Sequence, residues 1–327
     1  MHSNKGIFCI SLDFELHWGC FETNRLQTAA EQTYFANTRA TIPKMLQIFQ
    51  EYHLHVTWAT VGMLFLQNEF EWHQQLPSLL PTYTNNAVNA YHWIQKNGFI
   101  QQDGRFHFAP NIIQQIQATP HQEIGTHTYS HYYCLEDGQT ANQFAADLQK
   151  AIDIGKSAGV SIRSLVFPRN QINPHYLPIC KQLGITAVRS NPQQWFWKAN
   201  NKAPLIQKIA RTADAYLSIG NQLVTIAALR QQTYPLQLPA SRLYRPWQPQ
   251  QSIGNYLKMQ RILTEMTHAA EQGKYYHLWW HPHNFGNHPH ACLNELKQIA
   301  IHYSMLKEKY GFQSLNMSEI TQAIQNG

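Results

Sequence analysis

The 327-residue sequence predicts an α/β fold built on a mainly parallel sheet. Three observations lead to this prediction. Short runs rich in β-branched residues alternate with longer amphipathic stretches, no repeat with a period of roughly 20–50 residues is present, and hydrophobic residues make up 43% of the chain, enough for a large core. Strands that alternate with helices pair in parallel through right-handed crossovers. The pattern is compatible with an open sheet or with a barrel.

The predicted strands are short apolar runs bounded by polar residues. The first, residues 7–12 (IFCISL), is apolar and β-branched, as is typical of a buried parallel strand. The later runs have the same β-branched or aromatic character. In chain order the predicted strands are 7–12, 55–60, 123–126, 164–167, 185–188, 224–227 and 276–280.

The predicted helices carry apolar residues at helical spacing. In residues 37–52, Ile42, Met45 and Phe49 recur at intervals of three and four residues. Pro43 in the same segment is compatible only with a position near a first helical turn. In chain order the predicted helices are 37–52, 141–158, 176–183, 252–272 and 292–309.

Two long segments fit this alternation poorly. Residues 67–120 are aromatic and interrupted by Pro and Gly, and residues 191–251 are rich in Gln, Pro and Trp. Loops of this length inside a compact domain are usually lids or binding insertions. We therefore predict one domain over residues 1–327 with insertions at 67–120 and 191–251. Packing elaborations without a substrate role are the alternative.

Charge and cysteine usage limit the class of protein. Lys and Arg outnumber Asp and Glu by 25 to 19, a net charge of +6, but the basic residues are dispersed. Nucleic-acid-binding proteins concentrate them on one face, so we expect no nucleic-acid partner. Five scattered cysteines without a CxxC pair favour reduced thiols. Neither a signal-peptide pattern nor an apolar run of transmembrane length is found, so we expect a cytoplasmic protein without a transmembrane segment.

Polar clusters follow the predicted strands. Asp13 and Glu15 come directly after the first strand, and alternation along a strand points both carboxylates to one side. His127 and His131 follow the third strand with i, i+4 spacing. On a helical turn this spacing puts both imidazoles on one face, where two nitrogens can bind one cation.

Two further clusters have the same placement. The last predicted strand ends in His281, with His283 and Asn284 close behind, and the fourth is followed by Arg169 and Asn170. Catalytic groups in parallel α/β proteins gather at the carboxyl ends of the strands. We therefore expect the four clusters to form one site.

In the order of these motifs, the sequence resembles the polysaccharide deacetylase superfamily (NodB homology, or family 4 carbohydrate esterases). The paired acidic motif of that family corresponds to Asp13 and Glu15. Its H-[ST]-x-x-H motif corresponds to HTYSH, from His127 to His131, and its late strand-end histidine to His281. The resemblance extends over most of the chain.

The sequence departs from the family pattern in three places. Asp-x-Glu stands where most members carry adjacent aspartates. Phe167-Pro168-Arg169 looks like the Arg-Pro motif with the order of Pro and Arg changed. The acidic fourth motif has no clear counterpart, and only Arg189 and Trp195 lie in its neighbourhood. The layout SLDFELxWG…FPRN…HPHN looks like that of divergent deacetylase-like proteins of surface-polysaccharide biosynthesis.

The resemblance implies a distorted (β/α) barrel of about seven parallel strands. It also implies a metal-dependent hydrolase that removes an N-acetyl or N-formyl group from an amino-sugar intermediate of a surface polysaccharide. Glu15, His127 and His131 would hold one divalent metal, with zinc favoured and Co, Ni, Mn or Fe compatible. By analogy Asp13 is the general base and His281 the general acid. The reverse assignment of Asp13 and Glu15 stays open.

The remaining site predictions concern positioning and substrate contact. We expect Arg169 to pair with Asp13 and keep it ionised. Candidates for contact with a carbohydrate substrate, including a nucleotide- or lipid-linked one, are Trp18, Tyr129, Asn170, His283, Asn284, Arg242 and Arg245. Core packing of the aromatic rings and salt bridges of the two last arginines are the alternatives. Two other functions remain open: hydrolysis of a cyclic ureide or another non-sugar amide, and a catalytically silent carbohydrate-binding protein.

Overall fold

The computed structural model describes residues 5–23, 26–99, 104–192, 194–197, 204–216 and 223–325. Within these ranges strands and helices alternate along most of the chain. The strands are β1 (Ile7–Phe14), β2 (Val56–Thr60), β3 (Gln122–Thr126), β4 (Ser164–Val166), β5 (Ala187–Ser190), β6 (Val224–Thr225), β7 (Leu236–Pro239), β8 (Arg242–Leu243), β9 (Lys274–Trp280) and β10 (Gln313–Ser314). The helices are α1 (Ala29–Glu51), α2 (Glu69–Gln74), α3 (Ala90–Asn97), α4 (Pro110–Ala118), α5 (Ala141–Ser157), α6 (Leu177–Gln182), α7 (Leu205–Asp214), α8 (Ile226–Arg230), α9 (Ser252–Glu271), α10 (Pro289–Tyr310) and α11 (Met317–Gln325).

The main strands form a parallel sheet that curls into a nearly closed barrel. They follow one another in the order β9, β1, β2, β3, β4, β5 and β7, and each neighbouring pair is parallel. β10 pairs with the start of β1, and β6 pairs antiparallel with the start of β9. The predicted (β/α) barrel is confirmed.

The barrel closes where one extended segment changes partners. β7 pairs with β5, and beyond its end the Ala240 amide still donates to the Ser190 carbonyl at 2.8 Å. The next amide, that of Ser241, donates to the His277 carbonyl of β9 at 2.9 Å, and β8 continues along β9. Residues 236–243 therefore join the two sides of the sheet.

The two segments predicted as insertions differ from each other. Residues 67–120 lie between β2 and β3 and contain α2, α3 and α4. Residues 191–251 are not all insertion, because they supply β7 and β8 to the sheet. Their predicted strand at 224–227 is limited to Val224–Thr225, after which α8 begins.

Helix α1 begins well before the segment that apolar spacing indicates. Thr28 and Glu31 form a capping box: Thr28 Oγ1 accepts the Glu31 amide at 3.1 Å, and the Glu31 carboxylate accepts the Thr28 amide at 2.9 Å. This pair sets the start of the helix at Ala29. Pro43 consequently lies inside the helix, and its predicted position near a first turn is wrong.

The apolar core encloses the central strands. Every residue of β1 and of β2 is buried, and large rings such as those of Phe8, Trp58 and Trp280 have almost no exposed surface. Burial of one such side chain contributes about 1.5–3 kcal/mol. Because β1 is covered on both faces, the polar groups at its carboxyl end are held at a rigid rim. No helix in the described ranges has both the length and the apolarity needed to cross a bilayer.

Candidate metal and catalytic site

Asp13 and Glu15 lie at the rim formed by the carboxyl ends of the parallel strands. Both side chains are buried, at 2% residue exposure. Neighbouring strands bring four groups of side chains to the same rim: His127 and His131 after β3, Arg169 and Asn170 after β4, Arg189 on β5, and His281 and His283 after β9. The structure thus brings the four predicted clusters together and adds Arg189.

The histidines of the HTYSH motif lie on an irregular loop. Thr128 and His131 have φ values of 63° and 58°, which a right-handed helical turn does not allow. Asp147 on α5 holds this loop, because its carboxylate accepts the amides of Tyr129 (2.7 Å) and Ser130 (3.2 Å) and the Ser130 hydroxyl. The predicted helical turn is therefore wrong, although both imidazoles still converge on one carboxylate.

The His127 imidazole presents a lone pair to Glu15. Its Nδ1 lies 2.8 Å from the Val166 carbonyl oxygen, which can only accept a hydrogen bond, so Nδ1 carries the proton. In the neutral ring Nε2 is then unprotonated. This nitrogen lies 3.2 Å from Glu15 Oε2.

A chain of hydrogen bonds fixes His131 in the same tautomer. The Tyr133 hydroxyl donates its proton to Glu22 Oε1 at 2.6 Å, so its oxygen accepts from His131 Nδ1, 3.1 Å away. Arg169 pairs with Glu22, and its guanidinium carbon lies 4.4 Å from the centroid of the Tyr133 ring. His131 Nε2 is left to face Glu15 Oε2 at 2.9 Å. Outer hydrogen bonds of this kind orient metal-binding histidines.

Glu15 Oε2 meets two imidazole lone pairs, and this donor set fits a divalent metal. The oxygen is buried and accepts no hydrogen bond from the described residues. Burial raises the pKa of Glu15, but positive charge at the neighbouring histidines, led by His281, outweighs it and holds the pKa well below its usual value. Where His127 and His131 are neutral and turn lone pairs to Oε2, a cation has to supply that positive charge. The distances of 2.9 and 3.2 Å approach the roughly 3.3 Å between ligands in a tetrahedral site with bonds of about 2.0–2.1 Å. Glu15, His127 and His131 therefore form a candidate metal site.

Asp13 is held by Arg189, and the predicted pairing with Arg169 is wrong. The two terminal nitrogens of Arg189 donate to the two Asp13 carboxylate oxygens at 2.6 and 2.7 Å. Burial raises the pKa of Asp13, but the Arg189 guanidinium outweighs it and lowers the pKa below its usual value. Arg169 has a left-handed backbone conformation (φ 53°), and its exposed side chain pairs with Glu22 instead.

The Arg189 guanidinium is fixed by several contacts. It donates to Asn170 Oδ1 at 3.0 Å and to Ser11 Oγ at 3.1 Å, and it lies 4.1 Å from the ring centroid of Trp279. Asn170, a predicted substrate contact, thus orients Arg189. The sequence prediction gave Arg189 no role; its place at the end of the ITAV run is the signal that could have identified it.

His281 lies beside both carboxylates of the site. Its Nε2 is 3.6 Å from Asp13 Oδ2 and 3.4 Å from Glu15 Oε1. The His281 side chain is 27% exposed, in contrast to the buried acids. It can therefore reach both the interior of the site and a molecule bound from solvent.

The turn after β9 is packed against helix α1. Gly286 is required there, because a Cβ atom would lie 2.3 Å from the Tyr34 carbonyl oxygen. Asn37 Nδ2 also donates to the Gly286 carbonyl at 2.9 Å. These contacts hold His283 and Asn284 at the rim, where both are half-buried.

Three predicted substrate contacts are buried in the interior. Trp18 has no exposed surface and donates its indole N–H to a backbone carbonyl at 2.7 Å, and Tyr129 is also fully buried. Arg242 is 4% exposed and pairs with Asp214 at 3.0 Å and Glu265 at 2.6 Å. The prediction of substrate contact is therefore wrong for these residues, since core packing and an internal ion-pair network hold them.

About half of the chain matches a known protein family in sequence. Residues 28–188 match the family model described as polysaccharide deacetylase. This range contains His127 and His131, whereas Asp13, Glu15 and His281 lie outside it. A search of curated proteins gives no match.

The fold is similar to that of several solved structures. A structure described as a polysaccharide deacetylase from Mycobacterium smegmatis has 13% identity and a TM-score of 0.62, covering 100% of this chain and 92% of that chain. Another so described, from Pseudomonas aeruginosa PAO1, has 12% identity and a TM-score of 0.57, covering 98% and 91%. Puue allantoinase has 12% identity and a TM-score of 0.54, also covering 98% and 91%. The family match and these structures confirm the resemblance to the polysaccharide deacetylases and their fold.

Proposed function

We propose that this chain, which resembles the polysaccharide deacetylases in sequence and fold, is a metal-dependent hydrolase. It would remove an N-acetyl or N-formyl group from an amino sugar of a surface-polysaccharide intermediate. The observation that carries this proposal is the ionised Glu15 carboxylate facing two imidazole lone pairs beside the buried Asp13–Arg189 pair. A structural ion pair needs no such convergence of lone pairs.

The contacts of the two acids support their separate roles. Glu15 is the metal ligand, because its oxygen faces His127 and His131 at 3.2 and 2.9 Å. Asp13 is the general base, because Arg189 keeps it ionised and leaves it 3.6 Å from His281. A site of two imidazoles and one carboxylate favours zinc. When bound, the cation would polarise the amide carbonyl and activate water.

The protein residues handle the protons of the reaction. Asp13 accepts a proton from water as the water oxygen forms its bond to the amide carbon. His281 in its protonated form donates to the nitrogen as the C–N bond breaks, since an amine anion is a prohibitive leaving group at neutral pH. The products are acetate or formate and the free amino sugar. His281 suits this role because its partly exposed side chain lies at the rim where a sugar would enter.

Metal analysis of the purified protein tests the proposed site. We expect at least one tightly bound equivalent of divalent metal, weakened about 100-fold or more in His127→Ala and His131→Ala, which remove direct ligands. His268→Ala is the matched control, because His268 is exposed on α9 near the start of β9 and belongs to none of the candidate metal groups among the described residues. A chain that takes up no divalent metal after reconstitution would contradict the proposal.

Substrate assays separate the proposed reaction from its alternatives. We expect amine release from N-acetylated or N-formylated amino sugars, lost in Asp13→Asn while the metal is retained. If the protein opens the ring of a cyclic ureide but releases no amine from amino sugars, its substrate is a non-sugar amide. Full activity of Asp13→Asn would refute the assignment of the base, and metal binding without hydrolysis of either class would favour a binding protein.

A further inference from the structure

The second oxygen of Glu15 faces another pair of histidines. Oε1 lies 3.4 Å from His281 Nε2 and 3.9 Å from His283 Nδ1. Together these three residues form a second group whose ligand atoms lie close enough to share one cation. The two carboxylate oxygens of Glu15 thus face two different pairs of histidines.

Among the described residues, His283 Nδ1 has no hydrogen-bond partner that would explain its position. This nitrogen is buried. A buried nitrogen without a hydrogen-bond partner is energetically unfavourable, because its hydration has been lost without replacement. Neighbouring rings limit rotation of the His283 side chain away from Glu15. The centroid of its ring lies 4.9 Å from that of the stacked His281 ring, and 5.9 and 6.3 Å from those of Tyr34 and Phe35.

We propose that Glu15 Oε1, His281 Nε2 and His283 Nδ1 form a second, weaker site for a divalent metal. This inference rests on the proposed function, because Glu15 would bridge the two cations. A tetrahedral site places neighbouring ligands roughly 3.3 Å apart. The His281 distance already matches this value, and the His283 distance is longer, which makes this site the weaker one. Metal pairs in two-metal hydrolases lie about 3.5–4 Å apart.

Occupation of the second site would inhibit the hydrolase. The lone pair of His281 Nε2 would be bound to the cation, so this nitrogen could no longer carry the proton for the leaving amine. The first equivalent of metal therefore activates the enzyme and the second one inhibits it. Activity plotted against free metal is expected to rise, reach a maximum and fall.

A third group of possible metal ligands could interfere with the measurement of metal stoichiometry. His55, His121 and Glu319 lie at the opposite end of the barrel, where His55 Nδ1 is 2.7 Å from Glu319 Oε2. Surface binding there could add an equivalent of metal. The measurements therefore use the chain carrying His121→Ala, which removes one of the three groups without touching the rim.

Calorimetric titration of the metal-free protein with Zn²⁺ tests the proposal. We expect two binding events, of which His283→Phe loses the weaker and keeps the tighter. His127→Ala should weaken the tighter event. The retained tight event in His283→Phe shows that this variant is folded.

Titration with Mn²⁺, followed by electron paramagnetic resonance, gives a second readout that needs no variant. Two ions bridged by one carboxylate are expected to give a spin-coupled spectrum at two equivalents. A single binding event without spin coupling would overturn the second site. Two events unaffected by His283→Phe would overturn it as well, since the second cation would then lie elsewhere. No binding event at all would instead refute the proposed function.

Discussion

Asp13 occupies a pocket that, by burial alone, would raise the pKa of its carboxyl. The bidentate contact with Arg189 reverses this effect and holds the pKa of Asp13 below its usual value. A general base is useful only when it is ionised at the working pH. Arg189 is therefore a positioning residue whose influence should appear in the pH dependence of the reaction.

We expect Arg189→Leu to shift the acidic limb of the profile of kcat/KM against pH upward by about one to two pH units. An opposite charge lowers the pKa of an aspartate by about 1–3 units, and without Arg189 only the raising effect of burial remains. Arg189→Lys keeps the charge and should restore part of the original profile. An unchanged acidic limb in Arg189→Leu would show that Asp13 is not the base or that Arg189 does not control it.

At the residue scale, the sequence could predict which acids and histidines meet, but not which arginine does. Asp13, Glu15, His127 and His281 each follow an apolar run, and parallel pairing is sufficient to bring such positions to one rim. Arg169 and Arg189 both lie at the end of an apolar run, so this pattern does not distinguish them. The φ of 53° at Arg169 turns its side chain to Glu22, and no sequence pattern indicated this local conformation.

At the element scale, the loop between β3 and α5 depends on a carboxylate that the sequence analysis overlooked. Asp147 is buried on the inner face of α5 and accepts hydrogen bonds from the loop amides that follow Thr128. In the sequence, Asp147 falls within the apolar stripe of the predicted helix, between Phe144 and Ala151, and an acid at such a position could have indicated this role. The conformation of the histidine motif is thus set by a side chain of the helix that directly follows the loop.

We expect Asp147→Ala to weaken binding at the first metal site by about 10–100-fold, the range found when outer partners of metal ligands are removed. The Tyr129 and Ser130 amides would lose their acceptor, and the loop carrying both histidines would relax. Asp147→Asn keeps an acceptor oxygen and should retain most of the affinity. Calorimetric titration of both variants provides the measurement, and equal affinities in Asp147→Ala and the unmodified chain would contradict this role.

The limits of element prediction follow from how the missed elements are stabilised. β1 and β9 are long and apolar, and their core contacts are visible in composition. β7 (LQLP) and β8 are short and partly polar, and they are strands because β5 and β9 offer free edges on either side of the same segment. Tertiary pairing of this kind overrides weak local preference.

At the scale of the whole molecule, an internal ion-pair network anchors the segment that closes the barrel. Arg242 on β8 is buried and pairs with Asp214 of α7 and Glu265 of α9. Removal of one partner from a buried network leaves the other charges uncompensated. The barrel closure and the two helices are therefore stabilised together.

We expect Arg242→Met to lower the free energy of unfolding by about 3 kcal/mol, the lower end of the range for a broken buried ion pair. Asp214 and Glu265 would lose their closest cation and keep only Arg261, at 3.6 and 3.0 Å. Arg245, predicted to contact the substrate, is partly exposed two residues beyond β8 and provides the control. Arg245→Met should change the free energy of unfolding by no more than about 0.5 kcal/mol. Urea denaturation of both variants measures the difference, and similar values for the two would contradict the anchoring role.

The pairing of β1 with β9 also governs when the site can exist during protein synthesis. Ile7 lies opposite Tyr275, so β1 leaves the ribosome long before one of its two neighbours has been translated. At about 5–20 residues per second, the interval between Asp13 and His281 lasts on the order of 10–60 s. Throughout this time the nascent chain carries Asp13 but lacks His281, and the edge of β1 that pairs with β9 stays unpaired. The proposed hydrolysis therefore requires that translation has passed β9, and until then the unpaired edge of β1 needs protection from aggregation.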